Sequence, residues 1–271
     1  MAKATLDPVL RRDRMVVIAS AAAVTILAWM HLLRLAASMH AGMSRPEPMS
    51  GMGASGMDGM MMPSLGAWSP QEGVIVFAMW AVMMVGMMLP SVTPMLVIHA
   101  RVARQALAQG KPFAATGWFA LGYLLAWAGF SLGATAAQWG LERTLLLSPA
   151  MVGRSHVFGG LVLIAAGLYQ WTPFKEACLS QCQAPLVFIQ RHGGFRRDAV
   201  GSMRLGVRHG LYCIGCCWAL MALLFVGGVM NVLWIAAISV FILLEKLVPS
   251  PRLLSRVAGT GLLVVGAWML R

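Results

Sequence analysis

Long apolar stretches separated by short basic segments run through the chain from about residue 15 to its end. A helix needs roughly 20 apolar residues to cross a bilayer. The stretches 15–37, 72–97, 113–138, 155–172, 206–227, 230–248 and 254–270 approach or exceed that length. The pattern predicts an all-α fold, a polytopic transmembrane helix bundle of about seven spans. Residues 1–14 then form a cytoplasmic N-terminal tail, 15–37 the first transmembrane helix, 38–69 an extracytoplasmic loop, and 70–271 the rest of the bundle. The opening "MAKATLDPVLRRDRMVVIAS" runs straight into a full-length span and lacks a small-residue cleavage site, so it reads as a span rather than a removable signal.

Composition agrees with a membrane protein: 59% of residues are hydrophobic, 11% are charged, and the mean hydropathy is +0.75. The net charge of +12 raises the question of nucleic acid, and its distribution answers it. Lys3, Arg11, Arg12, Arg14, Arg101, Arg104, Lys111, Lys175, Arg191, Arg196, Arg197, Arg204, Arg208, Lys246, Arg252 and Arg256 all fall on one side of the predicted membrane. Arg45, Arg143, Arg154 and Arg271 fall on the other, with Arg34 at the end of a span. That bias places the N-terminus in the cytoplasm and the C-terminus outside. The expected surroundings are a lipid bilayer, with no nucleic-acid partner.

The loop 38–69 carries Met39, Met43, Met49, Met52, Met57, Met60, Met61 and Met62 with His40, spaced by glycine, serine and proline. No packed core or regular helix is expected there. Exposed thioethers oxidise readily and gain nothing from packing, whereas they suit Cu(I). In the second span, "FAMWAVMMVGMMLPSVTPM", Met79, Met83 and Met87 share a helical face, with Met84, Met88 and Met95 beside them. The stripe reads either as flexible core packing or as a path of weak donors. Pro90 and Pro94 remove backbone donors, which predicts freed carbonyls and a kink.

Gly129 and Gly133 in the third span have the spacing of a close helix contact. Trp68, Trp139 and Trp171 are expected at interfaces. Near the end of the sixth span, Glu245 and Lys246 read by default as a snorkelling pair, with an inward-facing Glu245 as the alternative.

The chain has five cysteines, and three lie in "HGLYCIGCCWALM". Cys213, Cys216 and Cys217 follow the i, i+3, i+4 pattern of one helix face, with His209 a turn earlier and Met221 a turn later. Cys178 and Cys182 stand at i, i+4 just after the fourth span and can fold back to the same leaflet. A single buried cysteine is usually a small hydrophobe. Five on one leaflet point to a soft metal site built from several helices. Cu(I) fits better than zinc, because it accepts few ligands and leaves little charge to bury. Cys213 and Cys216 also form a C-x-x-C pair, so a dithiol redox role stays open, although no thioredoxin-like pattern accompanies it. His31, His99, His156, His192 and His209 are scattered and suggest no haem pair.

"MWAVMMVGMMLPSVTPM", "HGLYCIGCCWALM" followed by "VGGVMNVLW", and "LLEK" resemble a bacterial family of predicted metal-binding integral membrane proteins, a group of unknown function sometimes labelled copper chaperone. The resemblance spans roughly residues 70–250, with the C-x-G-C-C-W segment most specific, and it leaves the loop 38–69 uncovered. It implies a multi-pass protein of the bacterial cytoplasmic membrane that handles a metal.

These readings combine into a non-enzymatic Cu(I)-binding membrane protein. Met39–Met62 collect the ion, and Met79, Met83, Met84, Met87 and Met88 pass it inward. Cys213, Cys216 and Cys217 with His209 and Met221 hold it, and Cys178 with Cys182 hand it to a copper-accepting protein. The rivals are a membrane thiol-disulfide oxidoreductase using Cys213/Cys216 and Cys178/Cys182, and a non-catalytic assembly factor of a membrane complex. No phosphate-binding loop is visible, so transport would not be driven by ATP within this chain.

Overall fold

The computed structural model describes residues 2–43, 68–111, 113–144, 155–248 and 250–271. Those residues form ten helices and no strand. They are α1 (Ala2–Met43), α2 (Pro70–Ala108), α3 (Thr116–Arg143), α4 (His156–Tyr169), α5 (Pro173–Gln183), α6 (Pro185–Arg191), α7 (Ala199–Ala222), α8 (Leu224–Gly227), α9 (Val232–Leu247) and α10 (Pro251–Met269). The loop methionines Met49, Met52, Met57, Met60, Met61 and Met62 lie outside the described residues. Met39 and Met43 fall in the last turns of α1, which runs further than the sequence predicts; their side chains and that of His40 are also outside the description.

Among the described residues, four helical segments are long and apolar enough to cross a membrane: Arg12–Ser38, Pro70–Ala108, Thr116–Arg143 and Ala199–Gly227. A fifth is reached if α4 and α5, bent by 65° at their junction, form one broken span. The sequence count of about seven also included the stretches that become α9 and α10. Helix α9 has 16 residues, about 24 Å at 1.5 Å per residue, against roughly 30 Å of hydrocarbon. Helix α10 has 19 residues, but Arg252, Ser255 and Arg256 occupy its first turns.

Local chemistry sets the helix ends. Ser69 accepts from the Glu72 amide while the Glu72 carboxylate accepts from the Ser69 amide, a reciprocal cap ahead of Pro70. Thr172 caps α5, Asp198 caps α7, and Asn231 caps α9 through its bond from Trp234 N. Gly228 adopts φ +96°, a left-handed conformation that glycine tolerates, in the turn that reverses α7 into α9. The Trp234 indole donates to the Leu223 carbonyl at 2.9 Å and clamps that turn.

Three close backbone approaches assemble the bundle. Pro90 leaves the Gly86 carbonyl without its helical partner, and the Trp29 indole of α1 donates to it at 3.3 Å. The freed carbonyl expected from the proline is thus the point where α1 docks on α2. Helices α3 and α7 meet through glycines: a Cβ on Gly122 would collide with the Met203 carbonyl, and one on Gly206 with the Phe119 carbonyl. Helices α4 and α10 do the same, since a Cβ on Gly266 would sit 2.9 Å from the Gly160 carbonyl oxygen. The pair expected to serve α3, Gly129 and Gly133, has nothing within 4 Å of either position. They share the face of Gly122, two and three turns further along, where nothing packs against that face.

Glu245 and Lys246 do not snorkel. Glu245 is 1% exposed and Lys246 9%. Lys175 of α5, itself 1% exposed, donates to both Glu245 carboxylate oxygens at 2.7 and 2.8 Å and to the Gln170 amide oxygen. Ser255 of α10 donates to the same carboxylate at 2.7 Å, and the Gln183 amide donates to the Glu245 carbonyl at 2.8 Å. Helices α5 and α10 therefore converge on one buried carboxylate of α9.

Two outcomes follow for thermal unfolding in detergent. Gly122→Ala drives a methyl group into rigid backbone and lowers stability by about 1–3 kcal/mol or more, while Gly129→Ala, facing open space, lowers it by nothing measurable. Glu245→Gln leaves Lys175 buried without a counter-ion and costs about 3–5 kcal/mol, with the Lys175→Met/Glu245→Leu pair recovering most of that loss. An unchanged midpoint in Gly122→Ala or in Glu245→Gln would contradict the packing described.

Candidate metal centre

Helix α7 carries two functional faces. Gly206 and Gly210 fit it against α3, with a Cβ on Gly210 falling 2.6 Å from that of Ala126. The adjoining face carries Cys213, Cys216 and Cys217, each 1% exposed, and Met221 at the same exposure. All five cysteines are free.

Cys213 stands at the meeting point of α2, α3, α7 and α9. The Lys246 ammonium lies 3.0 Å from its sulfur and donates also to the Ser91 hydroxyl at 2.9 Å. Ser91 in turn donates to the Met88 carbonyl at 2.8 Å. The Tyr123 hydroxyl lies 3.2 Å from the Cys213 sulfur and 3.3 Å from the Met88 carbonyl oxygen. Buried charges cost many kcal/mol unless paired, so a lysine in this position demands a partner, and sulfur is the one within reach.

The neighbouring thiols are turned differently. Cys216 and Cys217 both donate to the Cys213 carbonyl at 3.0 Å, the back-bonding that short polar side chains make in helices. Helix α5 folds against this face, as the position of Cys178 and Cys182 after the fourth span allows. Its Cys182 is half-buried against the core that contains Cys213 and Cys216. Cys178 packs on Gly215, where a Cβ would fall 2.8 Å from its sulfur, and the Tyr169 hydroxyl donates to the Gly215 carbonyl. Glycine at 215 is therefore what lets α5 approach so closely.

His209 is 3% exposed and its Nδ1 has no hydrogen-bond partner. Its ring packs edge-on to Phe188 at 4.9 Å and lies 5.9 and 6.0 Å from Phe119 and Tyr123. It sits one turn before Cys213, inside an aromatic enclosure. Met79, Met83, Met84, Met87 and Met88 of α2 are all buried, none more than 5% exposed, in the core that also contains the cysteines. Among the described residues, no three His, Cys, Asp or Glu side chains are gathered so that they could hold a metal ion in this arrangement. The Cys213 sulfur faces Lys246 and Tyr123, while the Cys216 and Cys217 thiols are turned to the Cys213 carbonyl.

Lys246, Tyr123 and Ser91 are the site residues that sequence reasoning missed. The available signal was position: Glu245 and Lys246 are adjacent, about 100° apart on a helix, so one interface cannot serve both. Leu243, Leu244 and Leu247 surround them.

No curated protein and no solved structure matches the chain. A family model described as PpoB2, copper chaperone, matches residues 77–269 and takes in α3 to α10, all five cysteines and the methionine stripe of α2. The chain belongs to that copper-chaperone family.

Proposed function

We propose that the protein is a multi-pass Cu(I)-binding protein of the bacterial cytoplasmic membrane, serving as a transporter or membrane chaperone. It acquires copper at the outer face through methionines and passes it to a thiol site in the cytoplasmic leaflet. The observation that carries this reading is the burial of Cys213, Cys216 and Cys217 together, with half-buried Cys182 packed against the same core and the Lys246 ammonium on the Cys213 sulfur. The basic segments supply the orientation, with the N-terminus and the α5, α7 and α9 ends of the site on the cytoplasmic side.

The chemistry favours a monovalent soft cargo. Cu(I) held by two thiolates carries one net negative charge, and Lys246 offsets it without leaving the site. A divalent ion on the same pair would leave a net positive charge in a buried region, which is costly. Cargo binding requires Cys216 or Cys217 to leave the Cys213 carbonyl and turn toward the Cys213 sulfur. The S–H donors released are weak, so little opposes the turn. Met79, Met83, Met84, Met87 and Met88 are neutral thioethers that exchange copper along α2, while Met221 and His209 flank the thiols. Cys178 and Cys182 on α5 relay the ion toward a copper-accepting protein. Burial weighs against Cys213 and Cys216 as the dithiol of the oxidoreductase reading, because thiols 1% exposed do not meet a partner's disulfide, whereas Cys182 is half-buried.

Copper content after anaerobic purification tests the reading. The wild type is expected to keep Cu(I) against a competing chelator, and Cys213→Ser/Cys216→Ser/Cys217→Ser to lose it. Lys246→Met keeps the thiols but loses the charge balance, and its Cu(I) affinity is expected to fall by at least about tenfold, ~1.4 kcal/mol, with Lys246→Arg restoring part. Equal retention of copper by the triple variant sinks the proposal.

A further inference from the structure

Three aromatic rings enclose His209, and one of them stands on a weakly held element. Phe119 and Tyr123 belong to α3, which is locked to α7 at this level. A Cβ on Gly206 would meet the Phe119 carbonyl, and one on Gly210 would fall 3.2 Å from the Tyr123 carbonyl oxygen. Phe188 belongs to α6, a helix of seven residues with no side-chain cap at its N-terminus. Pro185 breaks it from α5, and Gly193 and Gly194 end it at φ +86° and +78°. The chain is anchored on either side of that segment. The Gln183 amide donates to the Glu245 carbonyl, and Phe195 packs on His99 and Phe113. Within α6 only Phe188 and Ile189 are buried. A short element hinged at both ends, with two inward side chains, opens at the least cost.

Phe188 also touches a second histidine, with the His192 ring at 4.4 Å. His192 Nδ1 lies 2.7 Å from the Phe188 carbonyl oxygen. A carbonyl only accepts, so Nδ1 carries the hydrogen and the neutral ring keeps its lone pair on Nε2, free to bind a soft metal. His192 lines a cavity of about 230 Å³ with Arg196, Asp198, Arg204 and Arg208. Asp198 is engaged in capping α7, where it accepts from the Gly201 amide. Arg204 and Arg208 are exposed one turn apart on α7, and neither has a carboxylate among the described ion pairs. Three guanidiniums against one carboxylate leave this cavity positive. One phenylalanine thus packs on both a buried imidazole, whose Nδ1 has no partner, and an imidazole at the mouth of a basic cavity.

We propose that Cu(I) leaves the thiols past Phe188, from His209 to His192, and passes there to an acceptor whose acidic surface docks on Arg204 and Arg208. The ion keeps its charge throughout and only exchanges donors, so the step needs no oxidant or reductant. Opposite charge at the mouth draws the acceptor in and orients it. The inference rests on the copper reading and adds the donors that the cargo meets after the thiols.

Two rates measured on the full chain in detergent test it. In the metal-free protein, N-ethylmaleimide labelling of Cys213 is expected to be at least about tenfold faster in Phe188→Ala than in the wild type, because local opening limits access to a buried thiol. Phe225→Ala, which removes a core ring packed on Trp80, is expected to label at the wild-type rate. In the copper-loaded protein, transfer to the anionic chelator bathocuproine disulfonate is expected to slow about tenfold in His192→Ala, while the affinity set by the thiols holds. Arg204→Gln/Arg208→Gln is expected to slow the same transfer and flatten its salt dependence, with transfer to uncharged neocuproine unaltered. Equal labelling of Phe188→Ala and Phe225→Ala, or transfer that neither His192→Ala nor the arginine pair alters, overturns the exit. If Phe188→Ala does not fold, His192→Ala at its half-buried position decides. Absence of copper from the wild type overturns the copper reading and the exit with it, whereas normal loading with unaltered rates overturns the exit alone.

Discussion

Glu245 and Lys246, adjacent on α9, bring opposite charges into the interior and point them at different neighbours. The carboxylate gathers Lys175 of α5 and Ser255 of α10, while the ammonium gathers Ser91 of α2 and Cys213 of α7. A buried charge accepts only a narrow set of partner positions, because every misplaced partner leaves desolvation uncompensated. Apolar helix packing has no such penalty and tolerates sliding. The two residues therefore set where α2, α5, α7 and α10 stand relative to α9. The glycine contacts between α3 and α7 and between α4 and α10 then draw the backbones together around that fixed point.

This arrangement explains how thiols and a lysine coexist in an apolar interior. Without cargo, the Lys246 ammonium has Cys213 sulfur and Ser91 oxygen as partners, and the thiols of Cys216 and Cys217 rest on a helix carbonyl. The ammonium and the thiols each have somewhere to point, and of the candidate site's polar groups the His209 Nδ1 is left without a partner. In the proposed function, the same groups would supply a dithiolate and a counter-charge to a monovalent soft ion. A site that is stable both with and without its ion suits delivery better than permanent storage. The aromatic enclosure of His209 and the burial of the α2 methionines keep competing water from the region.

The helical class, the first three long helices and the cysteine face of α7 were legible in the sequence because apolar length and i, i+3, i+4 spacing are local signals. So was the return of α5 to that face. The glycine contact on α3 was not: Gly129 and Gly133 carry the spacing, yet Gly122 makes the approach, since the three share a face and the choice depends on where along α3 its neighbour lies closest. The roles of Glu245 and Lys246 were hidden for the same reason. A charged pair near a helix end reads as snorkelling until the partners, Lys175 seventy positions upstream and Cys213 thirty-three upstream, are placed beside it. The span count differed because α9 is shorter than its apolar run and α10 begins with arginines.

The most direct measurement is copper K-edge absorption on the anaerobically loaded protein, wild type against Cys213→Ser. The account predicts Cu(I) with a low-coordinate shell of sulfur in the wild type, and loss of one sulfur or of the ion itself in the variant. A shell of nitrogen and oxygen, or one that Cys213→Ser leaves unchanged, would show that the thiols beside Lys246 do not hold the metal.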